Sequence, residues 1–320
     1  MKQLPIQVQP QDFEGGHGFL LRSLHRNGTN FGQVSSWMGL RWHRCVRSPD
    51  HLLWAWATGV DSSWLLRRLP TSRRVDGGLE HSFMGHQWRG AQCLRIQAPQ
   101  VCPSCLRELG YCQAIWDLAC VSVCTRHGTV LIDRCIRCSQ PLTWNRPATD
   151  ICTCKRVILE STKSVTADPL VLRWTEWIGT RLTTPAQTSV DAFMPGLPGE
   201  LTPDGLYRIV LALGVRTVQN EVLKPTIWTQ RLAPTGMLCV LSRGLSRLAR
   251  CLTSQDWGSL REIAHEQTLE RLEFNGVTEA DRAIAKRIRR RIFGLERKGD
   301  PALRPRSKGQ LELFVERNLT

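Results

Sequence analysis

Four short pairs of thiol and imidazole side chains stand out between residues 102 and 154. Two residues separate Cys102 from Cys105, Cys124 from His127 and Cys135 from Cys138, and Cys152-Thr153-Cys154 closes the series. Such spacing lets one tight turn aim two donors at a single cation, and two turns complete the tetrahedron of nitrogen and sulfur donors that zinc prefers. Four pairs supply eight donors, the number two closed sites require, so the spacing predicts two structural Zn²⁺ ions. In sequence order, Cys102, Cys105, Cys124 and His127 make zinc site 1, and Cys135, Cys138, Cys152 and Cys154 make zinc site 2. The alternative is a cross-braced arrangement, first pair with third and second with fourth. The seven residues between His127 and Cys135 and the final C-x-C spacing fit that arrangement less well. A closed four-donor site leaves no position for an activated water, so the expected role is structural and not catalytic.

The remaining cysteines do not extend the pattern. Cys112 and Cys120 lie eight residues apart, match no knuckle and read as buried thiols. A disulfide scaffold is the poorer reading, because such chains are short and secreted, whereas this one has 320 residues and opens Met1-Lys2-Gln3-Leu4-Pro5 with no apolar signal region. Seven thiolates and two divalent cations would lower the net charge from +15 to about +12.

The residues around the donors carry a resemblance. The run Val101-Cys102-Pro103-Ser104-Cys105-Leu106-Arg107-Glu108, followed by Gly110-Tyr111, Trp116, Cys124, His127-Gly128, Leu131, Cys135, Cys138 and Pro141-Leu142, resembles the TniQ family. The family's pattern runs C-P-x-C-L-x-E-x-G-Y, an internal Trp, C-x-x-H-G, a Leu, then C-x-x-C and P-L. The chain departs from it by closing the second site with Cys152-x-Cys154. TniQ proteins, with the related TnsD proteins, are target-selection factors of bacterial transposons. The resemblance therefore implies an adaptor that links a target-recognition complex to a TnsC-type AAA+ ATPase, which recruits the transposase. It also implies a bacterial cytoplasmic, nucleoid-associated location. The target complex would be either an RNA-guided CRISPR Cascade with its crRNA or a DNA attachment site, and a homodimer is a further implied partner. Chain length leans slightly toward the RNA-guided kind. A stand-alone zinc-containing, sequence-specific DNA-binding protein is the alternative.

The elements that must position the donors are mainly helical. His17–Arg26, an Asn27-Gly28 turn and a second run capped by Thr29 or Asn30 and ending at Gly39 read as a helix-turn-helix-like pair, though any packing hairpin would read alike. Asp50 and Asp61 begin two further short helices with Gly59 as the stop between them, and Trp37, Trp54, Trp56 and Trp64 are expected in the core. Beyond the zinc segment, Leu170, Trp174, Trp177, Ile178 and Leu182 share a helical face, Pro185–Pro198 reads as a linker, and Thr202-Pro203 starts a helix lined by Leu206, Ile209, Val210 and Leu213. Met237–Leu252 and Trp257–Phe274 continue the bundle. No segment alternates convincingly as a strand, and β structure is expected mainly around the knuckles. The fold class is thus mainly α: an N-terminal helix-turn-helix-like domain over 1–98, a double zinc-binding module of ribbon or finger type over 99–158, a C-terminal helical domain over 159–294 and a flexible tail over 295–320.

Charge points to nucleic acid. Of 43 basic residues 36 are Arg, and the net charge is +6 over 1–100, +3 over 101–156, −1 over 157–279 and +7 over 280–320. Arg favours phosphate through its planar two-point fork. The last helix concentrates this character. Thr278-Glu279-Ala280-Asp281 caps it, Gly294 stops it, and Ala280, Ile284, Ile288 and Ile292 form an i, i+4 stripe. Arg282, Lys286, Arg287, Arg289, Arg290 and Arg291 cover most of the rest and are the candidate nucleic-acid or partner-binding residues.

Catalytic patterns are missing. The sequence has no Gly-Lys dipeptide and hence no Walker A loop, and His265-Glu266 is followed by Leu269 where a zinc protease needs His. No apolar run reaches the roughly 18 residues of a membrane span. The expectation is a non-enzyme with no catalytic residues and no membrane partner.

Overall fold

A computed structural model describes residues 2–41, 45–46, 48–75, 78–89, 93–158, 167–183, 193–216 and 232–294. The tail over 295–320 lies outside them. Ten α-helices and one three-stranded sheet form the regular structure of the described residues. None of these helices is long and apolar enough to cross a membrane.

The chain opens with a helical hairpin. Helix α1 (Gly16–Arg26) turns at Asn27 into α2 (Phe31–Trp37), with Gly28 at φ +64 supplying the left-handed step. Asn30 accepts a hydrogen bond from the Gln33 amide at 3.0 Å, and the Gln33 side chain answers to the Asn30 amide, a complete capping box. Helix α3 (His51–Thr58) stops at Gly59, at φ +72, and Asp61 caps α4 (Ser62–Arg68) by accepting from the Trp64 amide at 2.7 Å. Asp50 precedes α3 without making a side-chain cap bond. The tryptophans divide. Trp54 is fully buried and Trp64 half-buried, but Trp37 and Trp56 are 43% and 36% exposed with ring centroids 6.1 Å apart. The core expectation holds for the first two and is corrected for the second, because α2 and α3 each turn only one face inward.

The sheet is a second correction. Strands β1 (Thr71–Val75), β2 (Gly78–Phe83) and β3 (His86–Arg89) form an antiparallel meander. Its register places Arg73 opposite Glu80, and Glu80 opposite Arg89. The Glu80 carboxylate is buried and accepts from Arg73 Nε at 2.7 Å and Arg89 Nε at 3.2 Å. A charged ladder of this kind leaves no apolar alternation to read. The β2–β3 turn also uses Met84 at φ +53 with Gly85 at φ +78, in place of the usual Asn-Gly.

The helical second half packs on the cysteine-rich segment. Helix α5 (Pro103–Leu109) lies within that segment, and α6 (Pro169–Thr183) buries Trp174, Trp177, Ile178 and Leu182. Trp174 Nε1 donates to the Cys120 carbonyl at 2.8 Å, tying α6 to the segment. The described part of the expected linker is packed: Phe193, Met194 and Leu197 are buried, and Phe193 stacks on Trp177 at 5.6 Å. Its apolar residues outweigh its prolines and glycines.

Helix α7 (Pro203–Gly214) is buried nearly all round and crosses α8 (Pro234–Ser254) at two glycines. A Cβ on Gly214 would stand 2.1 Å from the Val240 carbonyl oxygen, and one on Gly244 would stand 2.2 Å from that of Val210. Helices α9 (Glu266–Asn275) and α10 (Glu279–Phe293) close the fold. One continuous buried cluster runs from Leu4 to Ile292.

Candidate metal centres and basic surface

Three of the four donor pairs sit on similar turns, the third one residue shorter than the first two. In the first, the Cys124 amide donates to the Thr129 carbonyl and Gly128 N to the Cys124 carbonyl, both at 2.8 Å, with Gly128 at φ +62. In the second, Cys135 N reaches Gln140 O at 3.0 Å and Ser139 N reaches Cys135 O at 2.8 Å, with Ser139 at φ +59. In the third, Cys152 N reaches Arg156 O at 2.9 Å and Lys155 N reaches Cys152 O at 2.8 Å, with Lys155 at φ +62. Each turn therefore closes on a left-handed residue directly after its second donor. The remaining pair is helical: Cys102 is the N-cap residue of α5 and Cys105 lies in its first turn, with Pro103 fixing the helix start. Short bridges, Val101 to Ile132, Val123 to Val130, Arg134 to Pro141 and Ile151 to Val157, are the β structure expected at the knuckles.

These turns bring the donors together in sequence order. Cys102, Cys105, Cys124 and His127 form one group and Cys135, Cys138, Cys152 and Cys154 the other, with the donor atoms of each lying within 4.8 Å of one another. The spacings fit a zinc-sized cation. Ideal bond lengths of about 2.3 Å to sulfur and 2.0–2.1 Å to nitrogen put tetrahedral edges at about 3.8 Å for S–S and about 3.5 Å for S–N. Here Cys105 and Cys124 are 3.5 Å apart, Cys135 and Cys154 3.9 Å, and Cys138 and Cys152 3.8 Å. His127 Nδ1 lies 3.5, 3.2 and 3.6 Å from the sulfurs of Cys102, Cys105 and Cys124. The thiols also oppose one another: the sulfurs of Cys102 and Cys124 push the Cys105 pKa up, and a shared cation would relieve that opposition.

Glu108 completes the first group and did not stand out as a functional residue in the sequence. His127 Nε2 lies 2.8 Å from Glu108 Oε1, and Arg126 Nε lies 2.7 Å from Glu108 Oε2. A metal-binding imidazole usually donates its second N–H to a carboxylate, which fixes the ring and raises its basicity. Burial opposes protonation of His127, but the Glu108 carboxylate and the Cys102 sulfur together outweigh it and raise the pKa. The available signal was Glu108 standing three residues after Cys105, one turn along the same helix. Cys112 and Cys120 are buried thiols. Arg146 Nη2 donates to Cys112 Sγ at 3.4 Å, and burial pushes the Cys112 pKa up to about 12.

The basic last helix is narrower than its sequence suggests. Ile284, Ile288 and Ile292 are buried as expected, with Ala285 and Asp281 beside them and Ala280 half-buried. Arg289 is turned inward. It is only 13% exposed and sits among Glu266, Glu270 and Glu273 of α9 at 3.1, 3.6 and 3.1 Å, so its charge is compensated within the chain. Arg282 donates to the Gly276 carbonyl at 3.0 Å. Arg291 donates to Gln255 Oε1 at 3.0 Å, with its guanidinium 5.8 Å from the Trp257 ring centroid. Lys286, Arg287 and Arg290 are the exposed remainder. The α1–α2 pair is a hairpin whose second helix buries Phe31 and Val34 and exposes Gln33, Ser36 and Trp37.

No curated protein matches the chain. A family model does: residues 5–131 match the model described as TniQ, a span that runs from the N-terminal helices through the whole first donor group.

Proposed function

We propose, on the premise that residues 5–131 are a TniQ region, that this chain is a transposition accessory protein acting as an adaptor rather than an enzyme. The TniQ match carries the reading. In it, the α1–α4 helices and the first donor group engage a TnsC-type AAA+ ATPase, and the C-terminal helices, with Lys286, Arg287 and Arg290 exposed on α10, engage the target complex. That complex is an RNA-guided Cascade with its crRNA, or an attachment-site DNA, and the adaptor works as a homodimer on it.

The chain's own residues suit such work. In each donor group four side chains would hold one zinc ion, which supplies structural cross-linking when bound. Glu108 orients His127 and neutralises Arg126, and the left-handed turns at Gly128, Ser139 and Lys155 aim the sulfurs. Closed donor sets of this kind stiffen loops whose backbone then presents a fixed surface.

The test is affinity capture with the full chain against a TnsC-type AAA+ ATPase, with bound RNA scored in parallel. The adaptor reading expects ATPase recovery that persists in nuclease. Sequence-specific duplex binding with no ATPase recovered would replace it with a stand-alone zinc-containing DNA-binding protein.

A further inference from the structure

The two donor groups differ sharply in what surrounds them. Around the first, Arg126 is paired with Glu108 and Arg107 donates to Ser104 Oγ at 3.1 Å. Around the second, Arg134, Arg137, Lys155 and Arg156 are all exposed, and none forms a salt bridge among the described residues. The only acidic residue between positions 134 and 158 is Asp150, which is half-buried, and the adjacent Asp133 is held by the buried Arg95 at 2.7 Å.

These four cations are drawn together by the fold. They flank or occupy the loops 135–139 and 152–156, whose sulfurs all lie within 4.8 Å of one another. Arg134 also donates to the Ser139 carbonyl at 3.2 Å, which holds its guanidinium over the first loop. Between the cations stand two exposed aliphatic side chains, Ile136 at 43% and Val157 at 47%. Even with four thiolates and one divalent cation inside, the tip stays net positive. A concentrated positive surface, with Asp150 the one acidic residue of its own stretch, is suited to a polyanion of regular charge spacing, and the planar forks of three arginines can each bind phosphate oxygens at two points.

We propose that this loop pair is a contact surface for the phosphate backbone of duplex DNA, separate from the α10 band. Arg137, Lys155 and Arg156 make the ionic contacts, and Ile136 and Val157 lie against the sugar edge. The contact is independent of sequence, so it positions the protein on DNA and does not select a site. It stands apart from the adaptor reading, which concerns the ATPase and the target complex.

The experiment is fluorescence anisotropy of the full chain with a labelled 30-base-pair duplex of arbitrary sequence, titrated across KCl concentrations. Each neutralised phosphate contact contributes about 0.9 to the slope of log K against log salt. The variant R137Q/K155Q/R156Q is expected to flatten that slope by about 2.7, to lose at least tenfold in affinity at 100 mM salt, and to retain wild-type metal content. A parallel K286Q/R287Q/R290Q variant leaves this loss additive if the two surfaces are separate. Should the triple variant fold poorly, acylation of Lys155 in the unmodified chain gives the second readout, with protection by bound duplex expected. Unchanged affinity and slope at full metal content, no protection of Lys155, or loss of polyglutamate binding with duplex binding intact would each overturn the proposal. ATPase capture by the same variant stays at wild-type level, so failure here and failure of the adaptor reading are told apart.

Discussion

Asp281 Oδ2 accepts a hydrogen bond from Thr202 Oγ1 at 2.8 Å, joining two helix N-termini that are 79 positions apart in the chain. Asp281 Oδ1 also accepts from the Thr202 amide at 3.0 Å, while Oδ2 serves the Thr278 amide at 3.2 Å within its own capping box. Thr202 in turn accepts from the Gly205 amide at 2.9 Å. One buried carboxylate thus serves the starts of both α7 and α10, where the positive ends of two helix dipoles converge. Replacing it by Ala leaves three donors unmet. Asp281→Ala is expected to cost about 2–4 kcal/mol and Thr202→Ala about 1 kcal/mol, read from urea unfolding midpoints at constant slope. Equal effects of the two would show that the carboxylate does not serve both helices.

Glu108 tests the first donor group without touching a donor. Its loss frees His127 Nε2 and Arg126 together. Glu108→Ala is expected to weaken zinc retention at that group about 10–100-fold in chelator competition, leaving the second group unchanged. Equal weakening of both groups, or of neither, would exclude the orienting role.

Acid stability should depend on His17. Its ring is buried and stacks on Trp144 with centroids 5.2 Å apart. Burial lowers its pKa to about 4, against the opposing influence of the Val46 backbone. At pH well above 6.5 the ring is neutral in both states and its contribution is intact. As pH falls from 6.5 towards 4 the unfolded chain takes up a proton that the folded chain refuses. The stability lost over that window amounts to about 3 kcal/mol. His17→Gln should flatten this part of the pH–stability curve, and an unaltered slope would remove His17 as its cause.

The α7–α8 crossing sets a steric limit. A methyl group at Gly244 would meet the Val210 carbonyl, which is backbone and cannot rotate away. Gly244→Ala is expected to destabilise the chain by about 1–3 kcal/mol in thermal or urea unfolding, although Ala favours helix elsewhere. A stabilised variant would mean that the helices part readily.

Much of the candidate site could be read in the sequence because thiol and imidazole spacing reports local turn geometry directly. The caps at Asn30, Asp61, Thr202 and Thr278 were legible for the same reason, since each acts within three residues of itself. What stayed hidden depends on partners distant in sequence. The Arg73–Glu80–Arg89 ladder carries no apolar alternation, so the sheet gave no periodic signal. Arg289 looks like its neighbours until α9 brings three glutamates to it, and Trp37 and Trp56 look like core until α2 and α3 choose which face to bury. Glu108 was visible as a motif residue, but its contact with His127 spans 19 positions.

The extended strip before α1 has a consequence for dissecting the molecule. Glu14 bridges to Gln113, the Ala114 amide donates to the Phe13 carbonyl at 2.8 Å, and the Gly15 amide donates to the Cys112 carbonyl at 2.9 Å. Gln113 Nε2 also lies 3.9 Å from Cys105 Sγ. Residues 13–15 are therefore stitched to the loop that runs between the first two donor pairs. A truncation near residue 98 would unzip this seam and bare its amides on both fragments, so deletion mapping of partners should remove whole elements from the C-terminal end instead.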